Sequence, residues 1–338
     1  MILSPADPRA LAQAVQTIAN GGLVGMPTET VYGLGADASN DAAVAAIFAA
    51  KGRPADHPLI VHVADMDAGL SGVQHFAQDV PDFAQALMAA LWPGALTLIL
   101  PRRAGVAAAA AGGQDSIGLR CPSHPVAQAL LHALRQRAES PVWGIAAPSA
   151  NRFGRVSPTT AAHVQSELGE ALLVLDGGPC SLGIESTIVD CTRGVPVLLR
   201  PGSIDINALS QVCGQPVHLA YDQAQAPRAS GTLESHYAPR AKVRLLSAAD
   251  LRTALQSWQA TPRRTPALLG VYAQGVTPPK DAALRFQAMP GTAAQTAHEL
   301  FAVLRAMDDA GVQEIWVQAV PSGADWAGVA DRLQRASA

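Results

Sequence analysis

The sequence predicts an α/β fold in two parts: a twisted mixed-sheet domain over residues 1–207 and a smaller, Rossmann-like parallel α/β domain over 241–338. A structured linker at 208–240 joins them. Three observations carry this reading. Short apolar strands alternate with helical patterns up to about residue 207. From 208 to 240 the periodicity lapses into Gln, Ala, Pro, Ser and Gly, and at Val243 a strand–helix–strand–helix–strand rhythm restarts. The length of 338 residues and the apolar share of 49% suffice for two cores.

The first helix is expected from Pro8 to Asn20, with Asp7 as N-cap, Pro8 in the first turn and Gly21-Gly22 closing it. A second runs from Asp41 to Ala50. Asn40 caps it, Gly52 takes the left-handed position after its end, and Pro54 stops it. Leu59 to Val63 then alternates as a strand, with Ile60 and His62 on one face. Further strands are read at Leu96 to Leu100, Ile117 to Arg120, Val142 to Ala147, Leu172 to Asp176, Ser186 to Asp190 and Val197 to Arg200, with helices at Pro125 to Ala138 and Thr160 to Leu168. Beyond the linker come strands at Val243 to Leu246, Ala267 to Tyr272 and Ile315 to Ala319. Helices are expected from about Ser247, from Thr292 to Ala310 and from about Asp325 to Arg335.

The net charge of −3 is unevenly divided: residues 1–207 hold 12 Lys and Arg against 17 Asp and Glu, and the remainder holds 12 against 10. A protein that grips a phosphate backbone needs a broad basic surface. Here the acidic first part instead concentrates cations in loops, at Lys51, Arg53, Arg120, Arg152, Arg155 and Arg200, which favours a small anionic ligand over stable nucleic-acid binding. Cys121, Cys180, Cys191 and Cys213 have neither C-x-x-C spacing nor a paired histidine pattern, so no zinc site is expected and a reduced, cytoplasmic protein is. No leader pattern or membrane-spanning apolar run is read.

Pro27-Thr28-Glu29-Thr30-Val31-Tyr32-Gly33-Leu34-Gly35 places hydroxyls and glycines directly after the apolar run at Leu23 to Met26. Lys51-Gly52-Arg53-Pro54-Ala55-Asp56-His57-Pro58-Leu59-Ile60-Val61-His62 places two cations and two imidazoles around a helix end and the next strand. The two segments are expected to face each other across the carboxyl ends of adjacent strands. Lys51 could simply complement a helix dipole, whereas Arg53, between Gly52 and Pro54, is aimed out of the helix where its fork can clasp a phosphate. In Ser116-Ile117-Gly118-Leu119-Arg120 the polar residues and Gly118 share one face, leaving room for a ligand on the strand. Ala147-Pro148-Ser149-Ala150-Asn151, the turn with Ser157, Gly183 to Asp190 around Glu185 and Ser186, and Leu198 to Gly202 around Arg200 complete a pocket rim.

Other chemistries fit poorly. Gly33 to Ala38 matches G-x-G-x-x-A, but Pro27 to Tyr32 separates the glycines from the strand and no acidic residue ends a following strand. No G-K-[ST] occurs, so ATP, if bound, is held by scattered side chains. No serine lies in G-x-S-x-G. Glu29, Glu185 and Asp190 could help hold a magnesium ion, and spacing selects none of them.

Together these strings resemble the YrdC-like threonylcarbamoyl-adenylate synthases over about residues 10 to 205, with Trp92-Pro93-Gly94 and Gly118 to Pro125 adding to the match. Ser235-His236-Tyr237-Ala238-Pro239 resembles the connector of the two-domain members, and the C-terminal part resembles their accessory domain. The resemblance implies that L-threonine, bicarbonate and ATP, with Mg²⁺, give threonylcarbamoyl-AMP and pyrophosphate for the tRNA threonylcarbamoyl transferase machinery. It implies threonine contacts at Thr30, His62, Arg120, Ala147 and Ser186. Nucleotide contacts would come from Lys51, Arg53, His57, Ser116, Ser149, Ser157, Arg200 and Tyr237, with Arg53, His62, Arg120 and Arg200 central to catalysis. Residues 228–239 are expected to fold over the nucleotide as a lid. An RNA-binding regulator on the same fold is the alternative, disfavoured by the acidic charge. A hydrogenase-maturing carbamoyl transferase is disfavoured by the absence of zinc-finger cysteine spacing.

Overall fold

A computed structural model describes residues 1–4, 6–66, 70–219, 227–231, 237–261 and 268–338. The chain divides into two compact units, Met1–Phe153 with Ser157–Thr232, and Gly154–Val156 with Leu233–Ala338. Among the described residues, an eleven-stranded mixed sheet crosses the first unit. Its order is β1 (Ile2–Leu3), β8 (Leu173–Leu175), β2 (Val24–Met26), β3 (Gly33–Asp37), β7 (Ile145–Ala146), β4 (Ile60–His62), β6 (Ser116–Arg120), β5 (Leu96–Pro101), β9 (Thr187–Asp190), β10 (Val197–Arg200) and β11 (His218–Leu219). β4 runs parallel to β6 and β5 to β9, whereas β5 and β6 are antiparallel.

The helices start and stop where local chemistry directs. In α1 (Pro8–Ala19) Asp7 accepts the Arg9 N–H, and in α2 (Asp41–Lys51) Asn40 accepts the Ala43 N–H while Gly52 turns left-handed at φ 61°. α3 (Leu70–Phe76), α4 (Asp82–Leu91), α5 (Pro125–Arg135) and α6 (Ala161–Leu168) follow. The central core includes Tyr32, Leu34, Ile47, Leu59, Val61, Phe76, Leu87, Leu98 and Leu119.

One strand of this unit goes unread in the sequence, and one expectation is corrected. Gly33 to Asp37 is a strand, because bare glycines let β3 approach its neighbour: a Cβ on Gly35 would lie 2.8 Å from Ile145 Cγ2. The domain also extends past residue 207. Asp205 accepts the N–H groups of Asn207 and Ala208 to open α7 (Ile206–Cys213), Leu209 is wholly buried, and β11 pairs with β10. An eight-residue helix with one buried side chain has no periodic stripe to read, so this stretch looks like linker in the sequence.

Among its described residues the second unit carries a four-stranded parallel sheet in the order β12 (Lys242–Leu246), β15 (Glu314–Gln318), β13 (Leu269–Ala273) and β14 (Leu284–Ala288). The helices α8 (Ala248–Ala260), α9 (Ala293–Asp309) and α10 (Ala327–Ser337) accompany it. Four strands replace the three expected. β14 escapes detection because Arg285 and Gln287 make a half-polar edge strand just after Pro278-Pro279. Residues 154–156 belong here: Arg155 pairs with Asp308 at 2.9 Å, and Arg305 donates to the Val156 carbonyl. Among the described residues no helix is long and apolar enough to cross a membrane.

Candidate active site

The candidate residues share one face of the central strands and reach to their carboxyl ends, where β4 ends at His62, β6 at Arg120 and β10 at Arg200. His62 pairs with Arg120 and Ile60 with Gly118 across β4 and β6, so the alternation of both strands sends Ile60, His62, Ser116, Gly118 and Arg120 to the same side. Gly118 keeps the floor low, since a Cβ there would lie 3.3 Å from Ile99 Cδ1. Thr97 of β5 adds a hydroxyl, 2.8 Å from Ser186 Oγ.

At one end of this face the Thr28–Val31 loop, between β2 and β3, presents Glu29 and Thr30. Thr28 shapes it, accepting the N–H groups of Thr30 and Val31 and donating to the Val31 carbonyl at 2.6 Å. Arg120 reaches this loop with the two terminal nitrogens of its fork. Nε donates to the Gly94 carbonyl at 3.2 Å, Nη1 to Thr30 Oγ1 at 2.7 Å, and Nη2 lies 2.7 Å from Glu29 Oε1. Burial raises the Glu29 carboxyl's pKa, but Arg120 and nearby N–H groups outweigh it and leave the group below its ordinary value. His62 is buried, and burial reinforced by Arg120 pushes its imidazole down to about 3. It is therefore neutral at pH 7.

Toward the other end, Arg53 and Arg200 meet at Ser230. Arg53 Nη2 donates to the Pro58 carbonyl at 3.0 Å and to Ser230 Oγ at 3.4 Å. Arg200 holds the Ser186 carbonyl through Nε and Nη2, at 3.1 and 2.9 Å, and donates Nη1 to the Ser230 carbonyl at 2.8 Å. Arg228 fastens the same segment through Asp56, Gln114 and Gly112. With residues 228–230 seated there, the cavity beside Ser116, Gly118 and Pro58 measures about 10 Å³, roughly one water's worth. His57 stands nearby, its ring 5.6 Å from that of Phe153, and burial with Arg53 lowers its pKa.

Lys51 is wholly enclosed. Its ammonium donates to the carbonyls of Ser149 and Asn151, and burial followed by the Arg53 charge pulls its pKa well below the usual lysine range. Its described bonds thus go to the Ser149–Asn151 segment, while Phe153 N–H returns a bond to the Lys51 carbonyl. Ala147 sits beside β4, donating its N–H to Ile60, and Ser149 bridges to Gly33. Ser157 is buried and donates to Glu185.

Thr30, His62, Arg120 and Ala147 therefore gather at one end, and Arg53, His57, Ser116 and Arg200 toward the other, with Ser186 linked to Arg200 and Thr97. Tyr237 belongs to the second unit, where its backbone is left-handed at φ 63°. Its buried ring lies 5.4 Å from Phe301 and from the Arg332 guanidinium. Ser235 and His236, and with them part of the expected lid, lie outside the described residues. Sequence reasoning passed over Thr28 and Thr97, and weighed Glu29 only as a metal ligand. An acidic residue between two threonines was the available signal.

Among the described residues no three His, Cys, Asp or Glu side chains converge as metal ligands. Glu29 faces Arg120, Glu185 accepts from Ser157, and Asp190 accepts from Thr192 and Arg193.

The sheet face thus carries a buried arginine–glutamate pair at one end and two converging arginines at the other. The chain belongs to the threonylcarbamoyl-AMP synthase family in its two-domain form. Residues 16–202 match the family model described as telomere recombination, and residues 204–338 match that of the threonylcarbamoyl-AMP synthase C-terminal domain. The chain is 38% identical to the threonylcarbamoyl-AMP synthase of Bacillus subtilis, over 99% of its length and 94% of that protein. It is likewise 38% identical to the one from Pyrococcus abyssi, over 95% and 92%. The crystal structure of P. abyssi Sua5 complexed with L-threonine superposes with a TM-score of 0.87 at 33% identity, covering 100% of this chain and 97% of that one.

Proposed function

We propose that this protein condenses L-threonine, bicarbonate and ATP into threonylcarbamoyl-AMP and pyrophosphate, a nucleotidyl transfer that supplies a tRNA-modifying threonylcarbamoyl transferase. The observation that carries the reading is the two-ended face, with Arg120, Thr30 and neutral His62 at one end and Arg53 and Arg200 converging toward the other. Threonine becomes its N-carboxylate, and a carbamate oxygen then attacks the α-phosphorus in line, expelling pyrophosphate. No protein nucleophile is required. The demand on the chain is to bring two anions together and spread the phosphate charge.

Arg53 and Arg200 suit the phosphates, because a planar fork can grip two oxygens at once. Arg120 suits the threonine carboxylate or the carbamate. Lys51 acts beneath the nucleotide by fixing the Ser149–Asn151 segment. Mg²⁺, which neutralises phosphate charge when bound, is proposed to arrive on ATP, since the three candidate carboxylates are already engaged and magnesium is commonly held through substrate phosphates. Residues 228–231 are proposed as the seat of the lid. Ser230 occupies the same two arginines that phosphates would take, and it must shift for ATP to enter.

Pyrophosphate release measured with each substrate omitted in turn tests the reading. It should require ATP, L-threonine and bicarbonate together; equal release without threonine would overturn it.

A further inference from the structure

We propose that the buried Arg120–Glu29 pair is a receptor for the zwitterionic end of an amino acid, with Glu29 binding the ammonium of threonine while Arg120 binds its carboxylate. The proposal rests on the threonine substrate of the proposed function and adds a residue and a charge pattern to it.

The side chains of Arg120 and Glu29 are 4% and 8% exposed, so both charges have left bulk water. Removing an ion pair from water is costly unless its remaining donors and acceptors are filled. Here they are filled only in part. Nη2 of Arg120 lies 2.7 Å from Glu29 Oε1, and the Glu29 and Ser123 peptide N–H groups also support the carboxylate, yet among the described residues neither Glu29 oxygen, nor Nη2, nor Nδ1 of the adjacent His62 completes a hydrogen bond of good geometry. A pair held by such contacts keeps capacity for a ligand with complementary groups.

The surroundings select its charges. Around Glu29 stand Arg120, neutral His62, the Ser123 peptide N–H, His124 and the thiols of Cys121 and Cys180. Arg120 is the fixed cation and Glu29 the fixed anion, so the pair is neutral in sum. A bare anion would meet repulsion from Glu29, and a bare cation repulsion from Arg120. A zwitterion laid antiparallel to the pair meets an opposite charge at each end, which places its ammonium at Glu29. The Glu29 backbone is pinned as well, its carbonyl accepting the Leu182 N–H at 2.8 Å. Arg120 Nη1 and Nε stay committed to Thr30 and Gly94, leaving Nη2 as the arm that would turn from Glu29 to a carboxylate.

The test compares equilibrium binding of three ligands: L-threonine, threoninol, which keeps the ammonium and lacks the carboxylate, and 2,3-dihydroxybutanoate, which does the reverse. Glu29→Gln should weaken threonine and threoninol by about tenfold or more, the value of a charge-assisted contact, and leave dihydroxybutanoate within about twofold. Glu29→Asp should restore part of the loss. Equal weakening of all three ligands would make Glu29 a structural support and overturn the proposal, as would unchanged threonine binding. Should Glu29→Gln fail to fold, wild-type protein decides: dihydroxybutanoate bound as tightly as threonine would overturn the proposal, and clearly weaker binding would support it. Wild-type protein that binds no threonine at all would overturn the substrate reading itself, a result distinguishable from failure of the variants.

Discussion

Arg120 and His62 are partners in register on adjacent parallel strands, and burial, reinforced by the Arg120 cation, keeps the imidazole neutral. This ties stability to pH. Burial and Arg120 hold His62 at about 3 against an ordinary 6.5, so between those values the unfolded chain binds a proton that the folded chain refuses. Stability should therefore fall as pH drops through that window. Glu29 acts in the same direction below its ordinary 4.5, because its folded pKa is lowered. Urea midpoints taken from about pH 7 down to about pH 4 should decline in the wild type and decline less in His62→Gln. Equal slopes would refute the buried neutral imidazole.

Lys51 is expected to act through its loop. Lys51→Met removes the charge-assisted bonds to the Ser149 and Asn151 carbonyls, which should cost on the order of 2 kcal/mol and raise hydrogen exchange across 149–153. Nucleotide affinity should fall with it. Unchanged exchange with lost affinity would instead make Lys51 a direct ligand.

Arg53→Ala should impair ATP use more than Arg53→Lys, and both by about tenfold or more, since lysine offers a point charge in place of a fork. Ser230→Ala should be nearly silent, because its hydroxyl contact is long at 3.4 Å and the carbonyl contact to Arg200 survives. Steady-state kinetics with ATP varied checks both. Wild-type behaviour in Arg53→Lys would reduce Arg53 to a helix-end cation.

The extent of the first unit is also testable. A chain ending at 207 loses most of α7 and the wholly buried Leu209, a deletion worth about 2–5 kcal/mol, whereas one ending at 231 keeps them. Thermal unfolding should separate the two, the longer being clearly more stable; equal midpoints would show that α7 adds nothing.

Much of this was legible in the sequence because it is local. Asp7, Asn40 and Gly52 mark helix ends through their own hydrogen bonds and backbone freedom, and the alternation of Ser116 to Arg120 gives the ligand-facing side of β6 directly. What the sequence hides is non-local. β3 is a strand because Ile145, over a hundred residues away, leaves no room for a side chain at Gly35. The meeting of Arg53 and Arg200 at Ser230, and the facing of Glu29 by Arg120, join residues far apart in the chain through the sheet and its loops. The buried state of Lys51 is likewise set by a loop about a hundred residues distant, which no pattern around Lys51 announces.

The mass of the product formed with ¹³C-bicarbonate tests most directly whether one face joins a carbamate made from threonine to the α-phosphate of ATP. The product should be threonylcarbamoyl-AMP carrying a single ¹³C, lost when threonine is withheld and severely reduced in both Arg120→Ala and Arg53→Ala. An adenylate without the label, or labelled product at the wild-type rate from both variants, would contradict it.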